Sequence, residues 1–329
     1  MAYKIINIRP QSEEWLTYRK DHIGGSDAGS IIGFNQYKSP LSLWLEKTGE
    51  VEPADLSDNA AVRWGLNLED SVAAEFKGNH PDLRVERMNR IYESVERPFQ
   101  MATVDRNVTD SQGRRGVLEV KTAHWRRGQD WDEEVPAYYM AQVQHYLSVT
   151  GFSFAWVAVL IGGSDYREYY VERDEDFIKV LNERETQFCA MVSSHTMPQL
   201  VGTKEESGRL FGMYAEAQAQ DIEDVPENSV ATSNFAKTVE QICLAKADIK
   251  ESEGVKRLYE NELRARIGDG KGLRTSLDGV YYQATWVRSS VATFDKERFG
   301  KDHPDLLEEY TTKTERDMGL RVSMKEIKS

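Results

Sequence analysis

The stretch GVLEVKTAHW, residues 116–125, constrains the fold more than any other part of the chain. Val117, Leu118 and Val120 favour extended backbone. Glu119 and Lys121 interrupt this apolar run two residues apart, so a strand turns both side chains to the same face. A charge taken out of water alone is expensive. An acid and a base sharing one face therefore leave two readings open. The strand is an exposed edge with a simple ion pair, or it lies inside a sheet beside a further charged group such as a metal ion or a phosphate.

The segments around it alternate between helical and strand-like patterns. QSEEWLTYRKDH (11–22) places Trp15, Tyr18 and His22 at helical spacing, with Ser12 as its N-cap. IGGSDAGSIIG reads as a glycine turn entering a short helix capped by Ser26 or Asp27. A helix runs from about Pro40 to near Gly49, and a second one, AVRWGLNLEDSVAAEF, puts Val62, Leu66, Val72 and Phe76 near one face. Strands are expected over 84–94, 98–108 and 114–122, with DSQGR (110–114) as a hairpin turn. EVPAYYMAQVQHYLSVTG then reads as a helix with a glycine stop. FSFAWVAVLIGG and DYREYYVERD form a strand pair joined through Gly-Gly-Ser-Asp, and DEDFIKVLNERETQFCAMV forms a helix.

This block to residue 200 is α/β. Residues 201–234 are polar and read as a linker. Residues 235–329 form an extension with a long polar helix over 235–268, a hairpin turning at Asp278-Gly279 and a polar tail.

Composition excludes several classes. The chain has 329 residues, 40% hydrophobic and 29% charged, which suits a folded rather than a disordered protein. Cys189 and Cys243 lack ligand spacing, so neither a disulfide scaffold nor a zinc site is expected, and a reducing cytoplasm fits. MAYKIINIRPQSEEW carries no apolar run or cleavage signal, and no window suits a membrane span. The net charge of −13 argues against indiscriminate nucleic-acid binding. Residues 84–127 nevertheless hold ten Arg and Lys against six acids.

Asp105 ends one of these expected strands, and Glu119-Val120-Lys121 lies on the next. A short turn between antiparallel strands brings Asp105 beside Glu119. Two adjacent carboxylates repel unless a cation lies between them. Magnesium suits such a site because it accepts carboxylates, a backbone carbonyl, waters and phosphate oxygens. Lys121, on the same face, can hold or help deprotonate a water that attacks a phosphodiester.

Asp…Glu-x-Lys on consecutive strands resembles the signature of the PD-(D/E)xK nuclease superfamily. Further motifs narrow the likeness: Trp15-x-x-x-Arg19, Gly24-Gly25-Ser26-Asp27-Ala28, the helix SPLSLWLEKTG, Gly65-Leu66-Asn67-Leu68-Glu69 as a G-x-x-x-E element, and Tyr139-Met140-Ala141-Gln142-Val143-Gln144. In this order, over roughly residues 10–195, they resemble the YqaJ-like viral recombinase family, which includes the lambda-type phage exonucleases. The tail, with KDHPDLLEEY, resembles an extension of some phage members.

The resemblance implies a fold: a restriction-endonuclease-like PD-(D/E)xK core, a mixed central sheet flanked by helices, with a helical and β-hairpin extension. It implies roles as well. Asp105, Glu119 and the Val120 carbonyl would bind metal. Glu69 would add a carboxylate for a second ion or a metal-bound water. Lys121 would position the nucleophilic water, and Gln142 would contact that site. Arg19 and Ser26 would hold the 5′ phosphate of a DNA end, which suits an Arg fork beside a helix N-terminus. The cofactor would be Mg2+ or Mn2+, two ions per site. The implied activity is 5′-to-3′ digestion of duplex DNA to 5′-mononucleotides, leaving a 3′ overhang for a single-strand annealing protein. The implied assembly is a trimeric ring.

Taken singly, each residue has a plainer role. Glu69 and Arg19 suit a solvated helix surface, Ser26 an N-cap, Gln142 an amphipathic helix and Asp105 a turn. His22, His124 and His145 read as structural or surface groups. Trp125 and Trp131, with Arg126 and Arg127 between them, suit base stacking or packing. Two rival functions stay open: another PD-(D/E)xK repair or restriction-type endonuclease, and a non-catalytic DNA-end binder.

Overall fold

The computed structural model describes residues 2–56, 58–214, 225, 229–287, 289–290, 292–312, 322 and 324. The chain divides into two units, Met1–Ala217 and Gln218–Ser329.

The first unit runs β1 (Tyr3–Ile6), α1 (Glu13–Lys20), β2 (Ile23–Gly24), α2 (Gly25–Ile31), α3 (Pro40–Lys47), α4 (Ala60–Asn79), β3 (Arg84–Arg87), β4 (Ile91–Ser94), β5 (Gln100–Ala102), β6 (Arg106–Thr109) and β7 (Arg115–Ala123). A 3-10 turn (Trp125–Trp131), α5 (Ala137–Thr150), β8 (Phe154–Ile161), β9 (Asp165–Glu172), α6 (Glu175–Ser193) and α7 (Lys204–Tyr214) follow. The Ser12 hydroxyl accepts from the Trp15 amide at 3.2 Å and starts α1. Ser39 caps α3, and Pro40 opens it where no amide hydrogen is needed. Gly151 ends α5 in the left-handed region at φ 68°.

A five-stranded sheet has the order β3-β6-β7-β8-β9, and a four-stranded sheet the order β1-β4-β5-β2. β7 and β8 are parallel, with Glu119 opposite Val157 and Lys121 opposite Val159. The other pairs of the larger sheet are antiparallel. β7 is therefore the central strand, and the exposed-edge reading of GVLEVKT is excluded. Val117 packs on one face with Val143, Tyr146 and Leu147 of α5. Leu118 and Val120 pack on the other with Val72, Ala73 and Phe76 of α4. Each large apolar side chain so buried contributes about 1.5–3 kcal/mol. This is the mixed sheet flanked by helices expected from the sequence.

Four local expectations change. The runs 84–94 and 98–108 are each two strands, because the chain crosses between sheets at Met88–Arg90 and again at Thr103–Asp105. Apolar alternation persists through both crossings, so the pattern carries no break. On α4, Val72 and Phe76 are buried, but Val62 and Leu66 are exposed. The first turns of α4 lie at the end of β7, where Gly65 sits beside Thr122, beyond the apolar cluster. The N-cap of α2 is Gly24 rather than Ser26 or Asp27, and the Asp27 carboxylate reaches back to the Gly24 amide at 3.1 Å. Finally, part of the stretch expected as linker is α7. Its Glu205 accepts from the Ser39 amide at 3.1 Å, and its Arg209 donates to Ser42 at 3.1 Å, which fixes it to α3. Most of 215–228 lies outside the described residues.

The second unit contains α8 (Val230–Ile267), the hairpin β10 (Gly272–Leu277) and β11 (Val280–Thr285), α9 (Lys296–Asp302) and α10 (Pro304–Glu309). Asp278 and Gly279 turn the hairpin with φ of 50° and 79°, as a two-residue turn with both central residues left-handed requires. Among the described residues no helix is long and apolar enough to cross a membrane.

Candidate active site

The central strand turns Glu119 and Lys121 toward α5, and α5 answers with Gln142. Lys121 Nζ donates to Glu119 Oε1 at 2.7 Å and to Gln142 Oε1 at 3.0 Å. Gln142 Nε2 donates to the same Glu119 Oε1 at 2.7 Å and to the Tyr146 hydroxyl at 2.8 Å. Lys121 also lies 4.4 Å from the centre of the Tyr139 ring. One carboxylate oxygen of Glu119 thus takes two donors. The other, Oε2, is buried and has no hydrogen-bond partner. Such an acceptor is costly to leave unsatisfied, by about 1–3 kcal/mol.

Asp105 stands where the chain switches sheets. β6 pairs with β7 only as far as Arg106 opposite Leu118. Past that point the Val120 amide donates to Asp105 Oδ2 at 2.8 Å instead of to a strand. The carbonyl of a strand residue leaves on the same side as its amide, so the Val120 carbonyl faces the Asp105 edge. Burial, then the charge of Glu119, then that of Glu69 push the Asp105 carboxyl well above the usual carboxylate range; Lys121 and the Val120 amide pull it back.

Glu69 is felt electrically at Asp105 but is held by arginines. Arg106 Nη1 donates to Glu69 Oε1 at 2.7 Å and to the Asp105 carbonyl at 2.6 Å, and Arg87 approaches the same Glu69 oxygen at 3.2 Å. Among the described residues no three Asp, Glu, His or Cys side chains are gathered into a ready-made metal cluster. The donor set at Asp105 and Glu119 nonetheless suits a hard cation: mutually repelling carboxylates, a carbonyl edge and an unpartnered buried oxygen.

A second group forms beside this one. Arg19 Nη2 donates to Ser26 Oγ at 2.6 Å and to Asp27 Oδ1 at 3.0 Å. Lys47 lies 3.2 Å from Asp27 Oδ2. Burial alone would raise the Asp27 carboxyl, but Lys47 and then Arg19 outweigh it and hold it below the usual range. Tyr146 connects the two groups. Its phenol is pushed well up by burial, then by Glu119 and Asp105, and is pulled back by Arg19 among others.

The structure therefore joins Glu119, Lys121 and Gln142 by direct bonds, couples Asp105 to them through Val120, and brings Glu69 in through Arg106. Arg106, Tyr146 and Lys47 were given no role from the sequence, and Asp27 only that of a helix cap within the Gly-Gly-Ser-Asp-Ala motif. Tyr146 had a signal, since it follows Gln142 by one helical turn. Arg106 had none beyond following Asp105. His22 stacks on Tyr18 at 3.9 Å, and His145 is buried between Glu185 at 2.8 Å and the Met101 carbonyl at 2.9 Å, both structural roles.

Close packing makes one residue sensitive. A Cβ on Gly25 would lie 2.4 Å from the Tyr146 ring. Gly25→Ala is expected to lower stability by about 1–3 kcal/mol through overpacking. It should also loosen the Gln142–Tyr146 bond. The melting temperature should fall; an unchanged melting temperature would show that the ring moves freely.

Comparison with known proteins places the chain. The YqaJ-like viral recombinase domain profile matches residues 14–153. The uncharacterized protein YqaJ of Bacillus subtilis (strain 168) is 33% identical over 313 residues, covering 94% of this chain and 93% of that protein. The chain belongs to the YqaJ-like viral recombinase family. Among solved structures, an alkaline exonuclease from Laribacter hongkongensis aligns with a TM-score of 0.46 and 17% identity, over 61% of this chain and 99% of that one. A phage related exonuclease from Haemophilus somnus 129PT aligns with a TM-score of 0.35 and 14% identity, over 53% of this chain and 96% of that one. In this YqaJ-like chain the family match ends within the turn before β8, so it takes in α4, β7, α5 and every residue of both groups described above.

Proposed function

We propose that the protein is a metal-dependent 5′-to-3′ exonuclease of duplex DNA that releases 5′-mononucleotides. The observation that carries this reading is the buried, unpartnered Oε2 of Glu119 next to the raised carboxyl of Asp105. Asp105, Glu119 and the Val120 carbonyl would hold a divalent ion, Mg2+ or Mn2+. Bound there, such an ion polarises the phosphoryl oxygens and lowers the pKa of a coordinated water. A second ion would draw on Glu69, which would exchange Arg106 for it.

The chain's own groups do the rest. Lys121 has its ammonium at the edge of the carboxylates and orients the attacking water there. Gln142 holds Lys121 and Glu119 in register through both ends of its amide. Arg19 and Ser26, bonded to each other, offer a guanidinium and a hydroxyl to the 5′ phosphate. An anchor at the end and chemistry one step inward give single-nucleotide steps. The 3′-ended strand left behind suits a single-strand annealing protein, and a ring of three subunits would keep the enzyme on its substrate.

The test is digestion of a linear duplex carrying one label at its 5′ end. With Mg2+ or Mn2+, labelled mononucleotide should be the first product, faster from phosphorylated than from hydroxyl ends, and none should form in chelator. Internal cuts, or equal rates on nicked circles, would instead identify an endonuclease. No hydrolysis under any metal or pH would identify a DNA-end binder.

A further inference from the structure

The two tryptophans after the central strand have separate fates. Trp131 is buried, with ring centres of Tyr139 at 5.4 Å and Tyr169 at 5.9 Å. Trp125 is 66% exposed, with the Arg126 guanidinium 5.1 Å from its ring centre. This exposed ring lies four residues beyond Lys121.

A line of aromatic rings links Lys121 to that same turn. The Lys121 ammonium lies 4.4 Å from the Tyr139 ring centre, and Tyr139 lies 4.0 Å from Tyr138. Tyr138 lies 6.4 Å from Tyr37, whose ring has the Arg127 guanidinium at 5.8 Å. Tyr37 is 60% exposed, and Arg127 pairs with Asp130 at 3.2 Å. Tyr37 comes from the segment between α2 and α3, the other two tyrosines from α5 and the arginine from the 3-10 turn. Three separate segments thus converge on one row of rings.

We propose that this row, Tyr139–Tyr138–Tyr37 with Arg127 at its outer end, together with the exposed Trp125 on the same 3-10 turn as Arg127, is a track for the unpaired bases of a single DNA strand at the cleft. The proposal rests on the exonuclease reading above for its location, not for its chemistry. Ring faces bind bases without regard to sequence, and interleaved arginines bind the phosphates between them. A duplex hides its base faces in its own stack, so the exposed rings of Tyr37 and Trp125, backed by the packed Tyr138–Tyr139 pair, select the unpaired strand.

The test is equilibrium binding of a labelled 12-nucleotide single strand to the full-length protein in excess chelator, read by fluorescence anisotropy. Tyr37→Ala and Trp125→Ala should each weaken binding by about tenfold, the loss of one stacked base. Tyr37→Phe, which keeps the ring but drops the hydroxyl bond to Arg127, should stay within about twofold of the unaltered protein, as should binding of a blunt hairpin duplex by every variant. Both exposed positions should leave melting unchanged. The proposal is overturned if the unaltered protein does not bind the single strand, if the alanine variants bind it normally, or if Tyr37→Phe loses as much as Tyr37→Ala. No cleavage is required, so an absence of nuclease activity with metal would remove the exonuclease reading while leaving this result intact.

Discussion

On the proposed exonuclease function, Lys121→Ala is expected to cut the single-turnover rate of DNA hydrolysis by about 10²–10³-fold, the range for removal of one preorganised charge or donor at a reacting centre. The ammonium contacts Glu119 and Gln142 and lies against Tyr139, so it is fixed rather than swinging in solvent. Its loss should leave ion binding intact or strengthened, since one positive charge next to the carboxylates is gone. Titration with Mn2+, followed by paramagnetic resonance, separates the two effects. A rate within tenfold of the unaltered enzyme, with the same ion affinity, would remove Lys121 from the chemistry. A variant that melts early would be read instead as Lys121→Met, which fills the same space without the charge.

Asp27→Ala should destabilise the first unit by about 3–5 kcal/mol, as removal of one partner from a buried ion network does. Asp27 has a side-chain accessibility of 2% and Lys47 of 8%. The lysine also donates to the carbonyls of Arg19 at 2.7 Å and His22 at 2.5 Å, so it cannot turn to water without breaking both bonds. Denaturant unfolding monitored by tryptophan fluorescence measures the loss, and a melting temperature lower by about 10 °C should accompany it. The sign with pH follows from the lowered Asp27 carboxyl. Its contribution is present at and above the ordinary carboxylate range and disappears as pH falls through its depressed folded value. Asp27→Ala should therefore show a shallower acid limb than the unaltered protein. A destabilisation under 1 kcal/mol would mean that Lys47 and Arg19 reach water readily.

The Glu119–Lys121 pair was legible because strand periodicity alone puts the two on one face, and Asp105 because a short turn brings the preceding strand alongside. Ser12, Pro40, Gly151 and Asp278-Gly279 were legible as stops and starts because each has a local stereochemical cause. Other features had no local cause. The crossings of the chain between sheets at Met88–Arg90 and Thr103–Asp105 depend on which partners each half finds, and apolar alternation is blind to that. Val62 and Leu66 obey helical spacing, yet they lie beyond the apolar cluster that buries Val72 and Phe76. Arg106 escaped notice because its importance lies in three contacts made across space, to Glu69, Asp70 and the Asp105 carbonyl. Trp125 and Trp131 were alike in sequence, and only the neighbours of Tyr139 and Tyr169 decide between them.

Connectivity has a consequence for how this centre can vary. β7 and β8 run in the same direction, so the backbone must leave the sheet after Ala123 and return at Phe154. α5 is built on that return journey, and a crossover helix lies against the face of the strands it joins. Gln142 is thus delivered over Glu119 by the threading of the polypeptide, whatever the loops on either side contain. Cutting and rejoining the chain at the exposed 110–114 turn would preserve this threading; opening it between 124 and 136 would uncouple the amide from the strand that it serves.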